Sequence, residues 1–303
     1  MNVLVFHQGR PHFETALGLI SCLSRAHNVT LWSDSLSHFG RDHLVLQESI
    51  KLHKSGQYYD AVVVVSGDYL TDTGDLSEDI QEIFKRDVII RVMHRFKDRE
   101  RPFELCLFPQ AKQKFIPVTT GLNVKRTQAG SVSGKPEVLI QGNLENRRNY
   151  DLLPYVADQV PDLFFKLVGL SVERDYSFIK NSRILKNLRE IDFHGECAAS
   201  NFLAPLIDPK KYPAYFKDRF SSSIQIGLSY SIPFIAHAQL LEMYGIPGIS
   251  YNSDEDLIKA FSDAQKLNEV EIADLKAKMT DIQEKISEEN IEIFNRIVEH
   301  GSL

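Results

Sequence analysis

The chain has 303 residues, 43% apolar and 25% charged, with a net charge of −6. That composition is globular, leaves room for two ordinary domains and excludes a disordered chain. The acidic balance and the lack of a Lys/Arg run argue against nucleic acid as a partner, because neutralising phosphates takes a positive surface. No apolar run reaches the roughly 18 residues of a bilayer span, and the N-terminus enters a strand-like run without a basic leader. The expected location is therefore cytoplasmic, with peripheral membrane contact left open. The three cysteines, Cys22, Cys106 and Cys197, are too few and too scattered for a disulfide framework or a zinc site, and read as packing residues.

Strand and helix patterns alternate along the first part. Strand-like runs fall at Val3–Phe6, Val29–Trp32, Ala61–Val65, Val88–Met93, Leu105–Phe108 and Phe115–Val118. The four consecutive valines from Val62 to Val65 are what a strand covered on both faces requires. Helical spacing runs through Phe13–Ala26 and Leu76–Lys85, with Asp75 as a capping residue for the latter. Residues 121–136 hold three glycines, two serines and a proline, which break any period. The expected division is an N-terminal domain over 1–125, a linker over 126–136 and a C-terminal domain over 137–303. In the second half, strands are expected at Val138–Ile140, Phe164–Val168, Ile191–Phe193, Phe234–Ala236 and Gly248–Tyr251. Helices are expected at Tyr150–Gln159, Ser177–Leu188, Ser222–Tyr230, Leu240–Tyr244 and Asp256–Leu267. A charged tail follows from Glu269 to Glu299, with Ile272, Leu275, Met279, Ile282, Ile286, Ile291, Phe294 and Ile297 near a helical period.

Two segments repeat one theme: an apolar strand, a glycine and a helix. Val3-Leu4-Val5-Phe6 leads to Gly9, and Val138-Leu139-Ile140-Gln141 leads to Gly142. Ligands of open α/β sheets bind beyond the carboxyl ends of such strands, where helix N-termini offer unpaired N–H groups to anions. Arg147 and Arg148 follow Gly142 and supply planar, phosphate-matching forks. Ser221-Ser222-Ser223 opens another helical run, and its hydroxyls suit either capping or a phosphate. Asp254-Glu255-Asp256 formally reads D-x-D, but after Asn252-Ser253 it is better taken as a helix start. Neither a P-loop nor a dinucleotide-binding glycine fingerprint follows any strand, and no G-x-S-x-G elbow is present.

Over 138–260 the order of these pieces resembles the GT-B-fold glycosyltransferases. Gly142 and Arg148 match a strand-glycine start followed by a cation for a diphosphate. Leu167-Val168-Gly169 matches a strand end, Ile191-x-Phe193-x-Gly195 a base-pocket element, and Ser222–Ile235 with Pro233 a helix and following strand. The resemblance implies an α/β fold of two Rossmann-like domains facing a cleft, with a helical C-terminal tail. It implies donor contacts from Gly142, Arg147, Arg148, Gly169, Phe193, His194, Gly195, Ser221, Ser222 and Ser223. His12, in the loop after the first strand, is the expected general base, with Asp68 or Glu14 as its carboxylate partner. His7, His94 and Glu242 are expected at the donor sugar or the acceptor. The implied activity is sugar transfer from a nucleoside-diphosphate sugar to a hydroxyl acceptor, a glycan being the expected one, with no metal and no other cofactor. Ile226 stands where related signatures carry a helix glutamate, and Asp218 where one carries a histidine. The missing glutamate favours inversion, and it also motivates a second reading, a non-catalytic glycan- or protein-binding module; a third reading is a nucleotide-sugar epimerase of the same fold.

Overall fold

The computed structural model of the chain describes residues 1–8, 13–33, 51–65, 82–83, 88–94, 103–111, 113–119, 134–142, 148–169 and 176–300. The chain divides into two compact units. The first comprises Met1–Leu122 together with Asp218–Phe220 and Glu284–Leu303, and the second comprises Asn123–Lys217 and Ser221–Gln283. The proposed linker and the segment Leu76–Lys85 lie mostly outside the described residues, although residues 82 and 83 are helical.

The first unit holds strands β1 (Asn2–His7), β2 (Asn28–Ser33), β3 (Lys51–Leu52), β4 (Ala61–Val64), β5 (Ile89–Met93) and β6 (Glu104–Cys106), with helix α1 (Phe13–Leu23) between the first two strands. All pairs are parallel, in the order β3-β2-β1-β4-β5-β6, which is the doubly wound nucleotide-binding order. The unbroken apolar run of β1 follows from its central place, because successive side chains face opposite cores. Val3 and Val5 pack with Phe13, Leu17 and Ile20, whereas Leu4 and Phe6 pack with Tyr59, Val62 and Val64. Gly18 lets α1 press on the 115–119 segment, since a Cβ there would lie 2.7 Å from the Pro117 Cβ.

The expected strand at Phe115–Val118 is not formed. Phe115 donates one backbone bond to Cys106, but Pro117 has no N–H to continue a ladder. The amide of Asn290 takes the place of a neighbouring strand, accepting from Ile116 N at 3.2 Å and donating to Ile116 O at 2.8 Å. Asn290 belongs to the tail expected over 269–299, which is one long helix, Glu269–His300. Its last turns place Ile293, Phe294 and Ile297 in the first unit's core, so residues 284–303 group with the first unit rather than with 137–283.

The second unit holds β7 (Glu137–Gln141), β8 (Phe164–Gly169), β9 (Ser182–Lys186), β10 (Phe202–Leu203), β11 (Phe234–His237) and β12 (Gly248–Tyr251). Their order is β12-β11-β10-β7-β8-β9, the same winding again, and all pairs are parallel. The helices are α2 (Leu153–Gln159), α3 (Glu190–Ala199), α4 (Ser222–Ser229), α5 (Ala238–Tyr244), α6 (Asp254–Lys266) and the long α7 (Glu269–His300), whose first turns put Ile272 into this unit's core. Ser253 caps α6, its hydroxyl accepting from Asp256 N at 3.1 Å, so the D-x-D run is a helix start.

Two expectations here are exchanged. The helix expected at Ser177–Leu188 contains strand β9, bracketed by Asn181 (φ 51) and Asn187 (φ 49). Left-handed residues at both ends prevent a helix from running through, and asparagine tolerates that conformation better than most residues. The strand expected at Ile191–Phe193 is instead the start of α3, where Arg189 adopts extended N-cap geometry and clasps Asp192 at 2.7 and 3.2 Å. The fourth strand is the two-residue β10, about ten residues further on in chain order. A buried ionic cluster pins α3 to the sheet. Lys166, 2% exposed, lies 2.9 Å from Glu137 Oε2 and 3.2 Å from Glu196 Oε2, with the Arg183 guanidinium 3.6 Å from Glu196.

Candidate functional site

The chain order of the second sheet reverses between β7 and β10, and ligands of such sheets settle beyond the strand ends at that switch. Strand β7 ends there in Gln141 and Gly142. Gly142 has φ +141, a conformation open to glycine and strained for other residues, and a Cβ on it would lie 3.1 Å from Arg148 Nη2. Glycine thus permits the Arg148 side chain to fold back over the strand end.

Arg148 is only 9% exposed. Its Nη1 donates to Pro205 O at 2.6 Å and its Nη2 to Ser223 Oγ at 3.3 Å. Among the described residues no carboxylate pairs with it, and a guanidinium carries more N–H groups than these two bonds use. Its backbone is fastened on the other side. Asn149 N donates to Leu206 O at 3.0 Å, Tyr212 OH donates to Arg148 O at 3.4 Å, Lys211 Nζ donates to Asn149 Oδ1 at 2.7 Å, and Asn149 Nδ2 donates to Asp254 Oδ1 at 3.1 Å.

Beside the guanidinium stands the N-terminus of α4. Its first turn carries no acidic residue, so the positive end of the helix dipole is uncompensated. Ser221 occupies the N-cap position without making a side-chain cap, and its hydroxyl is buried with no hydrogen-bond partner among the described residues. Ser222 is exposed. A buried cation, unpaired helix N–H groups and an unpartnered hydroxyl converge on one place, and together they suit an anion with several oxygens.

Other groups line the carboxyl ends of the same sheet. His237 ends β11 and caps α5, its Nδ1 accepting from Gln239 N at 3.2 Å, and burial pulls its pKa below the usual imidazole value. Burial likewise raises the phenols of Tyr150 and Tyr251, which stay protonated at neutral pH. Gly169 ends β8 next to Gly142, whose N–H bonds to Val168 O at 3.0 Å.

Three expected donor residues are not brought to this cluster. Phe193, His194 and Gly195 lie on α3, and His194 bonds the hydroxyl of Tyr230, the C-cap of α4, at the end of that helix away from Ser221. The base-pocket match therefore slipped by one element, because β9, not 191–193, is the third strand. Glu242 is exposed on α5. Arg147, His12 and Asp68 lie outside the described residues.

In the first unit, His7 ends β1 and is fully buried, with Nδ1 3.0 Å from Ser33 Oγ and its ring edge-on to Phe13 at 5.3 Å. His94 follows β5, its Nε2 donating to Val65 O at 3.0 Å, and burial lowers its pKa to about 4. Both histidines therefore stand at the carboxyl edge of a doubly wound sheet. Glu14 lies in the first turn of α1, where the helix dipole favours a carboxylate. Sequence reasoning missed Gln141, Asn149 and Lys211. Gln141 had a legible signal, a polar residue closing an apolar strand just before the glycine; Lys211 had none.

No protein-family model matches the sequence, and no curated protein matches it. Solved structures do match along essentially the whole chain. AviGT4, a glycosyltransferase involved in Avilamycin A biosynthesis, is 13% identical with a TM-score of 0.59, covering 98% of each chain. HepE from Anabaena in complex with UDP-glucose is 13% identical with a TM-score of 0.54, covering 99% of this chain and 98% of its own. A T4 phage BGT variant in complex with UDP-glucose is 9% identical with a TM-score of 0.51, covering 99% of this chain and all of its own. The chain has the fold of the GT-B nucleotide-sugar glycosyltransferases.

Proposed function

We propose that the chain is a glycosyltransferase that moves a sugar from a nucleoside-diphosphate sugar to a hydroxyl acceptor. One observation carries the reading: among the described residues, buried Arg148 stands without a carboxylate beside the open N-terminus of α4, and the Ser221 hydroxyl has no partner. A diphosphate would fill that place, its oxygens taking the remaining guanidinium N–H groups, the helix N–H groups and the hydroxyls of Ser221 and Ser222. The same groups would stabilise charge growing on the departing diphosphate, which is why no metal is invoked in the chemical step. Structures of this fold that hold UDP-glucose support a sugar nucleotide as the donor class. His12 is proposed as the base that takes the acceptor proton, assisted by Asp68 or Glu14, with inversion at the sugar and a glycan as acceptor. Titration with UDP, GDP and ADP tests the reading. At least one should raise the melting temperature; no shift with any of them at millimolar concentration would sink it.

A non-catalytic binding module is the second reading, favoured by Ile226, which is buried where related signatures place a glutamate. Sugar release from a panel of nucleotide sugars separates the two: sustained turnover that disappears in Arg148→Ala excludes the module.

A further inference from the structure

We propose that Gln141 is a further ligand-binding residue of this site, latched by Ser223 so that its carboxamide N–H2 donates to the anion that Arg148 takes. The inference rests on the anion reading of the site given above.

The argument begins with Ser223. It is fully buried, and its oxygen stands between Arg148 Nη2 at 3.3 Å and Gln141 Oε1 at 3.2 Å. A guanidinium can only donate, so the serine oxygen accepts from Arg148 and its one hydrogen goes to the Gln141 carbonyl oxygen. That removes Ser223 from the set of ligand donors. It becomes a latch that orients two side chains at once. The carboxamide, with its oxygen so held, has its N–H2 on the other side, and it makes no other side-chain hydrogen bond among the described residues. Gln141 is half-buried at the last position of β7, beside the switch between β7 and β10, and it shares one latch atom with the buried guanidinium. The unpartnered hydroxyl of Ser221 marks the same place independently. A neutral amide fits here for a physical reason. It accepts from Ser223 and donates to an anion at the same time, whereas a carboxylate would accept from Ser223 but repel the anion.

That contrast supplies the test. Calorimetric titration of UDP, with inorganic pyrophosphate as a second probe, is carried out on the wild-type protein and on Gln141→Glu between pH 8 and pH 5. At pH 8 the variant should bind roughly tenfold or more weakly, because a carboxylate now faces the ligand's phosphates. As the pH falls the gap should narrow several-fold, and binding to the variant should take up a proton, since a protonated carboxyl has the shape and donor pattern of the amide. Titration of the ligand's own phosphate affects both proteins and cancels in the ratio. Gln141→Leu, which cannot donate, should bind several-fold more weakly at every pH. Equal affinity of wild type and Gln141→Glu at pH 8, or a gap that does not change with pH, overturns the assignment of Gln141. Should Gln141→Glu fail to fold, undiminished UDP affinity in Gln141→Leu overturns it instead. A wild-type protein that binds neither probe overturns the anion site itself, which is a distinct result.

Discussion

Replacing Arg148 by Met separates binding from folding at the proposed site. The guanidinium is 9% exposed and has no carboxylate partner among the described residues. Burying an unpaired cation costs several kcal/mol even after relaxation. Two charge-assisted bonds, to Pro205 O at 2.6 Å and to Ser223 Oγ at 3.3 Å, offset that cost, each contributing about 1.5–3 kcal/mol. The two sides nearly balance, so Arg148→Met should change the stability of the unliganded protein by less than about 2 kcal/mol in either direction. Ligand binding has no such compensation. Truncating one partner of a desolvated charge pair costs about 2–5 kcal/mol, or roughly 30-fold and upward in affinity. At a ligand concentration about 100 times the wild-type Kd, the wild type gains about 2.7 kcal/mol of stability. The variant, at the same concentration, should gain less than about 1 kcal/mol. For units of this size about 1 kcal/mol moves the midpoint by roughly 2–4 °C, a difference that thermal melts with and without UDP, GDP or ADP measure easily. If Arg148→Met keeps the full ligand-induced shift, Arg148 does not hold the ligand. If it unfolds without ligand, the arginine is structural and the balance above is wrong.

Three further outcomes follow from the packing. In Gly227→Ala the new Cβ would sit 2.1 Å from Phe234 Cζ, and overpacking of this kind costs about 1–3 kcal/mol; urea unfolding should show it, and an unchanged midpoint would mean that α4 shifts freely over β11. Lys166→Met removes the ammonium that the buried carboxylates of Glu137 and Glu196 share and should cost about 3–5 kcal/mol, most of it regained when Glu137→Leu and Glu196→Leu are added; if the triple variant is no more stable than the single one, the ionic interpretation fails. The imidazole of His94 titrates at about 4 when folded and at 6.5 when free, so the unfolded chain takes up the proton first. Its contribution is complete above pH 6.5 and is lost as the pH falls towards 4, amounting to about 3 kcal/mol. His94→Gln should flatten that part of the pH–stability curve, measured by denaturant unfolding at steps from pH 7 to pH 4; a variant with the wild-type slope would show that other groups carry the acid response.

What the sequence revealed and what it concealed divide along physical lines. Central strands declare themselves, because a parallel strand buried on both faces must be apolar throughout: β1, β4, β7 and β8 were all legible for that reason. Edge and short strands do not. Strand β9 is half exposed and reads Ser-Arg-Ile-Leu-Lys, so its pattern passes for a helix face until the left-handed Asn181 and Asn187 are seen. Strand β10 pairs through only two residues, too few for any period to show. Misplacing those two elements carried the base-pocket match onto α3 and took Phe193, His194 and Gly195 with it. The parts of the proposed anion cluster were legible because each obeys a rule tied to a single residue. A glycine ends β7, an arginine follows it, and serines open a helix, whatever lies between them. The latch between Gln141 and Ser223 was concealed because it depends on which hydrogen each oxygen receives, and such pairings across 82 residues of chain leave no mark in local composition. A parallel α/β sheet thus shows where its strands end through sequence alone, whereas the hydrogen-bond directions that decide which side chain meets the ligand emerge only when the switch-point neighbours are placed together.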